Sequence, residues 1–64
     1  MDNVFRTEEK QLKDYKGYEI WKLTDYDYYG KKLKTTYEVA DEEDAIDFFG
    51  SLAEAKKYIS TVLA

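Results

Sequence analysis

Alternating apolar and polar positions mark the middle of the chain as β-structure. The run from 18 to 23, Tyr-Glu-Ile-Trp-Lys-Leu, is β-branched and aromatic, and the run from 33 to 40 alternates more strictly. Runs with a period of two are typical of half-buried strands. A shorter apolar run, 45–49, predicts a third strand or an extended lead-in to the element that follows. The apolar positions of the second run are Leu33, Tyr37 and Val39.

The last part of the chain has the periodicity of an amphipathic helix. Ser51 and Glu54 fit a capping box. In this motif the Ser51 side chain accepts a hydrogen bond from a first-turn amide, and the Glu54 side chain accepts one from the Ser51 amide. We predict a helix over 52–63 that packing must hold, because it is barely long enough to be stable alone. Its apolar positions recur at intervals of three and four residues, at Leu52, Ala55, Tyr58, Ile59, Val62 and Leu63.

Two polar segments between the predicted strands are typical of turns. The segment 25–30, Asp-Tyr-Asp-Tyr-Tyr-Gly, predicts a hairpin loop in which Gly30 supplies a positive φ. The segment 41–44, Asp-Glu-Glu-Asp, predicts a second turn.

The hairpin loop also resembles the start of a calcium-binding loop. Asp25 and Asp27 have the spacing of its first ligands, followed by Gly30. However, Tyr29 and Thr36 stand where such a loop needs further oxygen ligands. No metal is therefore expected, and the carboxylates are interpreted as solvated turn residues.

The N-terminal segment, 1–17, leaves two alternatives open. Thr7 fits the N-cap of a short helix that runs to Tyr15. Alternatively, the run from Leu12 to Tyr18 begins the first strand early.

Together the elements predict an α+β domain with a three-stranded antiparallel sheet packed on one C-terminal helix. Residues 1–64 form one small domain, divided into the N-terminal segment 1–17, a sheet over 18–49 and a helix over 51–63. The predicted core residues are Ile20, Leu33, Tyr37, Val39, Phe49, Leu52, Ala55, Ile59 and Val62.

A second apolar group remains after the core is assigned. A single short helix covers one face of a sheet, so the reverse face should be polar in a simple monomer. One interpretation is that the N-terminal segment covers the group with Val4, Phe5 and Leu12. Another is a self-association or partner surface, and a one-residue slip in register would exchange the two faces. The group comprises Trp21, Leu23, Ile46 and Phe48.

Composition limits the chemistry open to a chain of 64 residues. There is no cysteine and no histidine, which excludes disulfides, thiolate nucleophiles and zinc–cysteine sites and removes the commonest general base. A domain of this size has little room for a ligand pocket of about 300 Å³. We expect a non-enzymatic protein with no catalytic residues and no cofactor.

The apolar runs also bear on location. None approaches the roughly 20 residues that span a bilayer. Residues 1–10 carry no apolar stretch of the kind found in secretory signals. We expect a cytoplasmic protein with no membrane partner.

Charge is distributed unevenly along the chain. There are 14 acidic and 10 basic residues, a net charge of −4. Residues 1–40 contain 8 of each sign, so the whole excess falls in 41–64, with 6 acidic and 2 basic residues. Because phosphate backbones repel such a protein, nucleic acid is disfavoured as a partner.

Aromatic and acidic side chains are the candidate contacts to a protein partner. Tyrosine offers large contact area at low entropy cost, and three tyrosines within four residues at a loop tip cannot all be buried. An extended acidic run, rising about 3.3 Å per residue, approximates the 3.4 Å charge spacing of one DNA strand. It would then imitate nucleic acid against a host nuclease or CRISPR effector. The predicted partner-binding residues are Trp21, Tyr26, Tyr28, Tyr29, Asp41, Glu42, Glu43, Asp44 and Asp47.

Two other functions stay open. The first is a small nucleic-acid-binding protein, in which a tyrosine cluster (Tyr26, Tyr28 and Tyr29, with Tyr18 nearby) would stack on bases. Its phosphate contacts would be Lys31, Lys32 and Lys34. The second apolar group would instead serve a structural homodimer with no separate ligand.

Three segments resemble small uncharacterised proteins of bacteriophages and mobile elements. They are 15–20, Tyr-Lys-Gly-Tyr-Glu-Ile; 37–41, Tyr-Glu-Val-Ala-Asp; and 49–59, which contains a Ser-Leu-x-Glu-Ala-Lys-x-x-Ile helix. Those proteins share a β-hairpin or three-stranded sheet followed by this helix. Phages encode many inhibitors of host defences, anti-CRISPR proteins among them. The resemblance therefore implies a phage-type inhibitor or regulator that occludes a partner, and it transfers no functional residue.

Overall fold

The computed structural model describes residues 4–64 as one antiparallel sheet with a helix at its C-terminal end. The strands follow each other in space in the order β1-β2-β3-β4. Their bounds are β1 Arg6–Gln11, β2 Glu19–Tyr26, β3 Lys32–Ala40 and β4 Ala45–Phe49, followed by α1 Leu52–Tyr58. The α+β class is confirmed, and the sheet has four strands rather than three.

The additional strand is β1, and both predictions for the N-terminal segment are wrong. Thr7 caps no helix, because it lies inside β1 opposite Asp25. The run from Leu12 to Tyr18 contains only an isolated bridge between Tyr15 and Tyr18 before β2 begins. Every residue of β1 is exposed, so the strand carries no apolar alternation. The strand is defined by its backbone pairing with β2, and its charged side chains are typical of an edge strand. Residues 1–3 lie outside the described residues.

Left-handed backbone conformations build two of the turns. Lys16 and Gly17 have φ values of 50° and 87° in the tight turn between the bridged tyrosines. Gly30 has a φ of 83° in the turn after β2, as predicted, because a residue without Cβ adopts this conformation at low cost. The second predicted turn, 41–44, is also confirmed.

The predicted helix is confirmed and changes its pitch near the end. The Glu54 amide donates to Ser51 Oγ at 3.2 Å, which is the first half of the predicted capping box. From Ile59 to Leu63 the backbone becomes π-helical, and the Ala64 amide donates to the Ile59 carbonyl at 2.7 Å. Within residues 4–64, no helix is long and apolar enough to cross a membrane.

The core lies between α1 and one end of the sheet. The side chains of Ile20, Val39, Ala55 and Ile59 are fully buried there. Partly buried residues surround them, and these are Leu12, Tyr15, Tyr18, Tyr37, Ile46, Phe49, Leu52 and Leu63.

Two predicted core residues are wrong for geometric reasons. Leu33 is 43% exposed, because it lies beyond the end of the helix where the pairing of β2 and β3 shifts register. Val62 is 61% exposed, because the wider π-helical turn directs Leu63 rather than Val62 toward the sheet.

The sheet extends well beyond the helix. The described chain measures 40 × 19 × 19 Å along its principal axes. The nine-residue strand β3 is about 30 Å long at 3.3 Å per residue, whereas the helical residues 52–63 span about 18 Å. One end of the sheet therefore carries the core, and the other end projects as a hairpin.

Burial of Ile59 should dominate the stability that the helix contributes. We expect Ile59→Ala to reduce the free energy of unfolding by about 2–5 kcal/mol, because it leaves a cavity beneath the helix. Val62→Ala, three residues away on the exposed side, should cost less than about 0.5 kcal/mol. Urea denaturation followed by circular dichroism measures both values, and equal losses would contradict this placement of the core.

Candidate functional site

The face of the sheet opposite the helix carries three of the four residues of the predicted second apolar group. Trp21 pairs with Glu38, and Glu38 pairs with Phe48, so these three side chains stand on one face. Leu23 joins them, opposite Thr36. We call this surface the open face and define it by Trp21, Leu23, Thr36, Glu38 and Phe48.

Ile46, the fourth residue predicted for that group, is on the other side. The register between β3 and β4 shifts so that Val39 pairs with Asp47 and Ala40 with Ala45. Ile46 is the extra residue of this β-bulge, and it packs against the core. A bulge redirects a side chain, which strict alternation did not predict.

No N-terminal cover lies over the open face in residues 4–64. The prediction that Val4, Phe5 and Leu12 shield it is wrong, because β1 joins the sheet as an edge strand instead. Leu12 packs on the helix side, and Val4 and Phe5 are exposed at the hairpin end. Phe48 is consequently 53% exposed, whereas Trp21 and Leu23 are half-buried by their neighbours.

The open face is acidic as well as apolar. Trp21 Nε1 donates to Glu19 Oε1 at 2.9 Å, which fixes the orientation of the indole ring. The strand register adds Glu9 opposite Leu23 and a pair of opposite charges, Asp25 and Lys34, toward the hairpin end. Four carboxylates thus share this side of the sheet with one lysine.

The tyrosines predicted to form one cluster are divided. Tyr28 and Tyr29 are 73% and 91% exposed at the hairpin tip, with ring centroids 5.6 Å apart. Phe5 packs edge-on to Tyr28, with ring centroids 5.1 Å apart.

The other two tyrosines lie away from the tip. Tyr26 lies on the helix side beneath Arg6, whose guanidinium carbon is 4.2 Å from the ring centroid. Tyr18 is at the far end of the sheet, where its hydroxyl donates to the Leu63 carbonyl at 3.5 Å.

The acidic turn, 41–44, is organised around the side chain of Asp41. Its Oδ1 accepts hydrogen bonds from the amides of Glu43 and Asp44, each at 2.8 Å. These donors, Asp44 first, lower the pKa of Asp41 below its ordinary value of 3.8. Because the segment is a turn, the spacing calculated for an extended acidic run does not apply to it. Asp47 lies apart in β4, opposite Val39.

The predicted partner-binding residues do not form one surface. Glu19 pairs with Ala40 at the end of the sheet that carries the acidic turn, whereas Tyr26 pairs with Lys32 at the hairpin end. About seven residues of strand, or roughly 23 Å, separate these ends. Trp21 and the acidic turn therefore lie near one another, and the exposed tyrosines lie at the opposite end.

The predicted phosphate-binding lysines are also divided. Lys34 pairs with Asp25 on the open-face side, Lys32 pairs with Tyr26 on the helix side, and Lys31 is in the turn. Together with the carboxylate of Glu8, the register instead places four basic side chains on the helix side of β1, β2 and β3. We call them the basic strip, and they are Arg6, Lys10, Lys22 and Lys32.

The sequence alone did not reveal this strip. Lys10 and Lys22 belong to different strands and become direct neighbours only through pairing of β1 with β2. The period of two along each strand would have revealed the strip if β1 had been recognised.

The carboxylate of Asp27 has a structural role in the turn after β2. Asp27 Oδ1 accepts hydrogen bonds from the amides of Tyr29 and Lys31 at 2.9 and 2.8 Å, so it stabilises the hairpin turn. Among residues 4–64, no group of three or more potential metal-ligating side chains converges.

Comparisons with protein-family models, curated proteins and solved structures found no match to this chain. The resemblance to phage and mobile-element proteins stays a prediction.

The acidic turn should make stability depend on pH. A carboxyl whose pKa is lower in the folded chain stabilises the fold above its unfolded pKa, and this stabilisation disappears as the pH falls through the folded pKa. We therefore expect Asp41→Ala to lower the melting temperature at pH 7. The difference from wild type should narrow below pH 3.8, the ordinary value for this carboxyl.

Thermal melts from pH 7 to pH 2 measure this difference. Glu42→Ala removes a neighbouring carboxylate for which the structure records no such hydrogen bond, so its effect on the melting temperature at pH 7 should be small. A constant difference for Asp41→Ala across the whole range would contradict the assigned role.

Proposed function

We propose that this chain is a non-enzymatic protein-binding module whose contact surface is the open face. The observation that supports the proposal is the row of Trp21, Glu38 and Phe48 on a sheet face that no described element covers. Apolar patches of this kind on small proteins mark interaction sites. Tryptophan is enriched among the residues that dominate binding energy.

The acidic turn belongs to the same contact region. It follows β3 directly, at the end of the sheet where Trp21 and Phe48 lie. Carboxylates around an apolar centre match the anatomy of an interface with a polar rim. They would pair with lysine and arginine of the partner, which chiefly raises the association rate and the specificity.

Binding at this surface would act by occlusion, as in an inhibitor or regulator of phage type. A partner that uses a positively charged channel, such as a nuclease or a CRISPR effector, fits the acidic region by charge. Because the acidic segment is a turn, this proposal relies on net charge and the apolar centre and does not require phosphate-like spacing.

A homodimer through the open face is less well supported. A two-fold dimer places the same patch of both copies against each other. The carboxylates of Glu9, Glu19, Asp25 and Glu38 would then meet their copies with only Lys34 to offset them. Like charges across an interface oppose association, so a basic partner is favoured over a second copy.

Loss of the exposed ring of Phe48 should abolish partner binding. We expect the immobilised wild-type protein to capture a partner from host lysate that Phe48→Ser fails to retain. Truncation of a central aromatic contact costs about 2 kcal/mol or more, which is roughly a 30-fold loss of affinity.

Val62→Ser is the matched control, because Val62 is also exposed but lies on the helix. It should capture the same partner as wild type in a quantitative mass-spectrometric comparison. Identical capture by Phe48→Ser would refute the open face as the contact surface.

A second candidate function, nucleic-acid binding, is supported by the basic strip. Lys10 and Lys22 stand directly opposite each other, and such like-charge pairs destabilise a sheet. A bound anion would relieve their repulsion. The exposed rings of Tyr28 and Tyr29 at the adjoining tip would offer stacking surfaces for unpaired bases.

Titration with a single-stranded oligonucleotide tests this second function. We expect weak binding at about 50 mM salt that decreases as salt rises, and each lysine lost should reduce the slope of log K against log salt by about 0.7. Lys10→Gln with Lys22→Gln should therefore weaken binding. Lys56→Gln with Lys57→Gln, on the helix, should not. Absence of binding by wild type at this salt concentration would reject the function.

A further inference from the structure

We propose that the open face contains a recognition site for one arginine side chain of a protein partner, seated over Glu38 between the rings of Trp21 and Phe48. The inference rests on the proposed function and specifies the chemistry that it recognises. The three residues pair across β2, β3 and β4. Since adjacent strands are about 4.8 Å apart, the Cα atoms of the two aromatic residues lie roughly 10 Å from each other.

That separation suits a planar cation. A guanidinium group that stacks between two rings lies about 3.5–4 Å from each ring plane, and the rings of Trp21 and Phe48 stand on the two strands that flank Glu38. Glu38 lies at the base of this gap and can accept two parallel hydrogen bonds from the guanidinium edge. Lysine matches the charge but offers no flat face and no fork of donors.

Glu38 has no cationic partner in the described chain. The ion pair recorded among residues 4–64 joins Arg6 to Glu8 on the other side of the sheet. The lysine on the same face, Lys34, is four residues away along β3, about 13 Å. The Glu38 carboxylate, which stands between the strands of two aromatic residues, is therefore free to pair with a cation from another molecule.

Trp21 is already oriented for the interaction. Its Nε1 donates to Glu19 Oε1 at 2.9 Å, so the polar edge of the indole is satisfied within the chain. Trp21 is half-buried, so part of the indole remains exposed, and tryptophan is the strongest aromatic partner for a cation. Phe48, 53% exposed, provides the second ring.

The helix side of the same sheet contains an arginine that contacts both an aromatic ring and a carboxylate. There Arg6 lies 4.2 Å from the centroid of the Tyr26 ring and forms an ion pair with Glu8. Here the ring comes from β2, and the carboxylate comes from β1, the strand that carries the arginine itself. The contact shows that a ring and a carboxylate can hold an arginine together, although on the open face both rings stand on the strands next to that of the carboxylate.

No arginine within these 64 residues is free to fill the site. The chain contains a single arginine, Arg6, and it is already engaged with Tyr26 and Glu8. A second copy would have to break that contact to fill the site. The excess of carboxylates on the open face disfavours a second copy as well.

Nuclear magnetic resonance can test the site with a defined probe. The chain has one tryptophan, so its indole N–H signal reports on Trp21 alone. We expect a short acetylated Gly/Ser peptide with one central arginine to shift this signal saturably, together with the amide signals of Glu38 and Phe48. The same peptide with lysine should bind more weakly. The peptide with citrulline, a neutral isostere of arginine, should not bind.

Substitutions locate the interaction. Glu38→Gln should weaken binding of the arginine peptide about tenfold or more, since it removes the negative charge that strengthens the hydrogen bonds to the guanidinium. Phe48→Leu should also weaken it, because an apolar side chain is kept but the ring is lost. Glu54→Gln removes the same charge from the helix and should bind as wild type does. Dispersed amide spectra confirm that each variant is folded.

The outcomes separate this inference from the proposed function. Equal binding of the arginine and citrulline peptides, or unchanged binding by Glu38→Gln, would overturn the arginine site even if Phe48→Ser still loses the captured partner. Conversely, saturable binding that depends on arginine and Glu38 supports the site. If Phe48→Ser nevertheless captures every partner, only the proposed use of the open face as the main contact surface fails.

Discussion

The contact between a short helix and one end of a long sheet is the interaction on which the rest of the structure depends. Ile20 and Val39 from the sheet and Ala55 and Ile59 from the helix form its fully buried centre. Such a small core leaves little excess stability. It also determines which part of the sheet has no helix packed on it, because about 18 Å of helix cannot cover a strand of about 30 Å.

Two surfaces with opposite properties arise from this mismatch. The open face has no layer above it, so its aromatic row and its carboxylates are presented to other molecules. The helix side beyond α1 carries the basic strip, in which lysines from two strands face each other. Although the chain has a net charge of −4, most carboxylates of β1, β2 and β3 lie on the open face and most basic side chains of these strands lie on the helix side. The two proposed binding functions therefore concern different surfaces of the sheet.

The chain itself contains one arginine that is held by an aromatic ring and a carboxylate. On the helix side Arg6 contacts the ring of Tyr26 on the neighbouring strand β2 and the carboxylate of Glu8 on its own strand. The site proposed on the open face has a different strand arrangement, because Glu38 on β3 stands between Trp21 on β2 and Phe48 on β4. The two places therefore share the chemistry of the contact and not its geometry.

Local patterns in the sequence determined the α+β class, the capped helix from 52 to 63, the positive φ at Gly30 and the central core positions such as Ile20 and Ile59. Each of these follows from periodicity or from the preference of one residue. Only the tertiary structure decided that β1 exists, because an all-exposed edge strand is defined by backbone pairing and leaves no apolar pattern. The positions of Ile46 and Val62 likewise depended on a bulge and a π-helical turn. The placement of Trp21, Glu38 and Phe48 in one row depended on register, which joins residues that are distant in the chain and that no local signal connects.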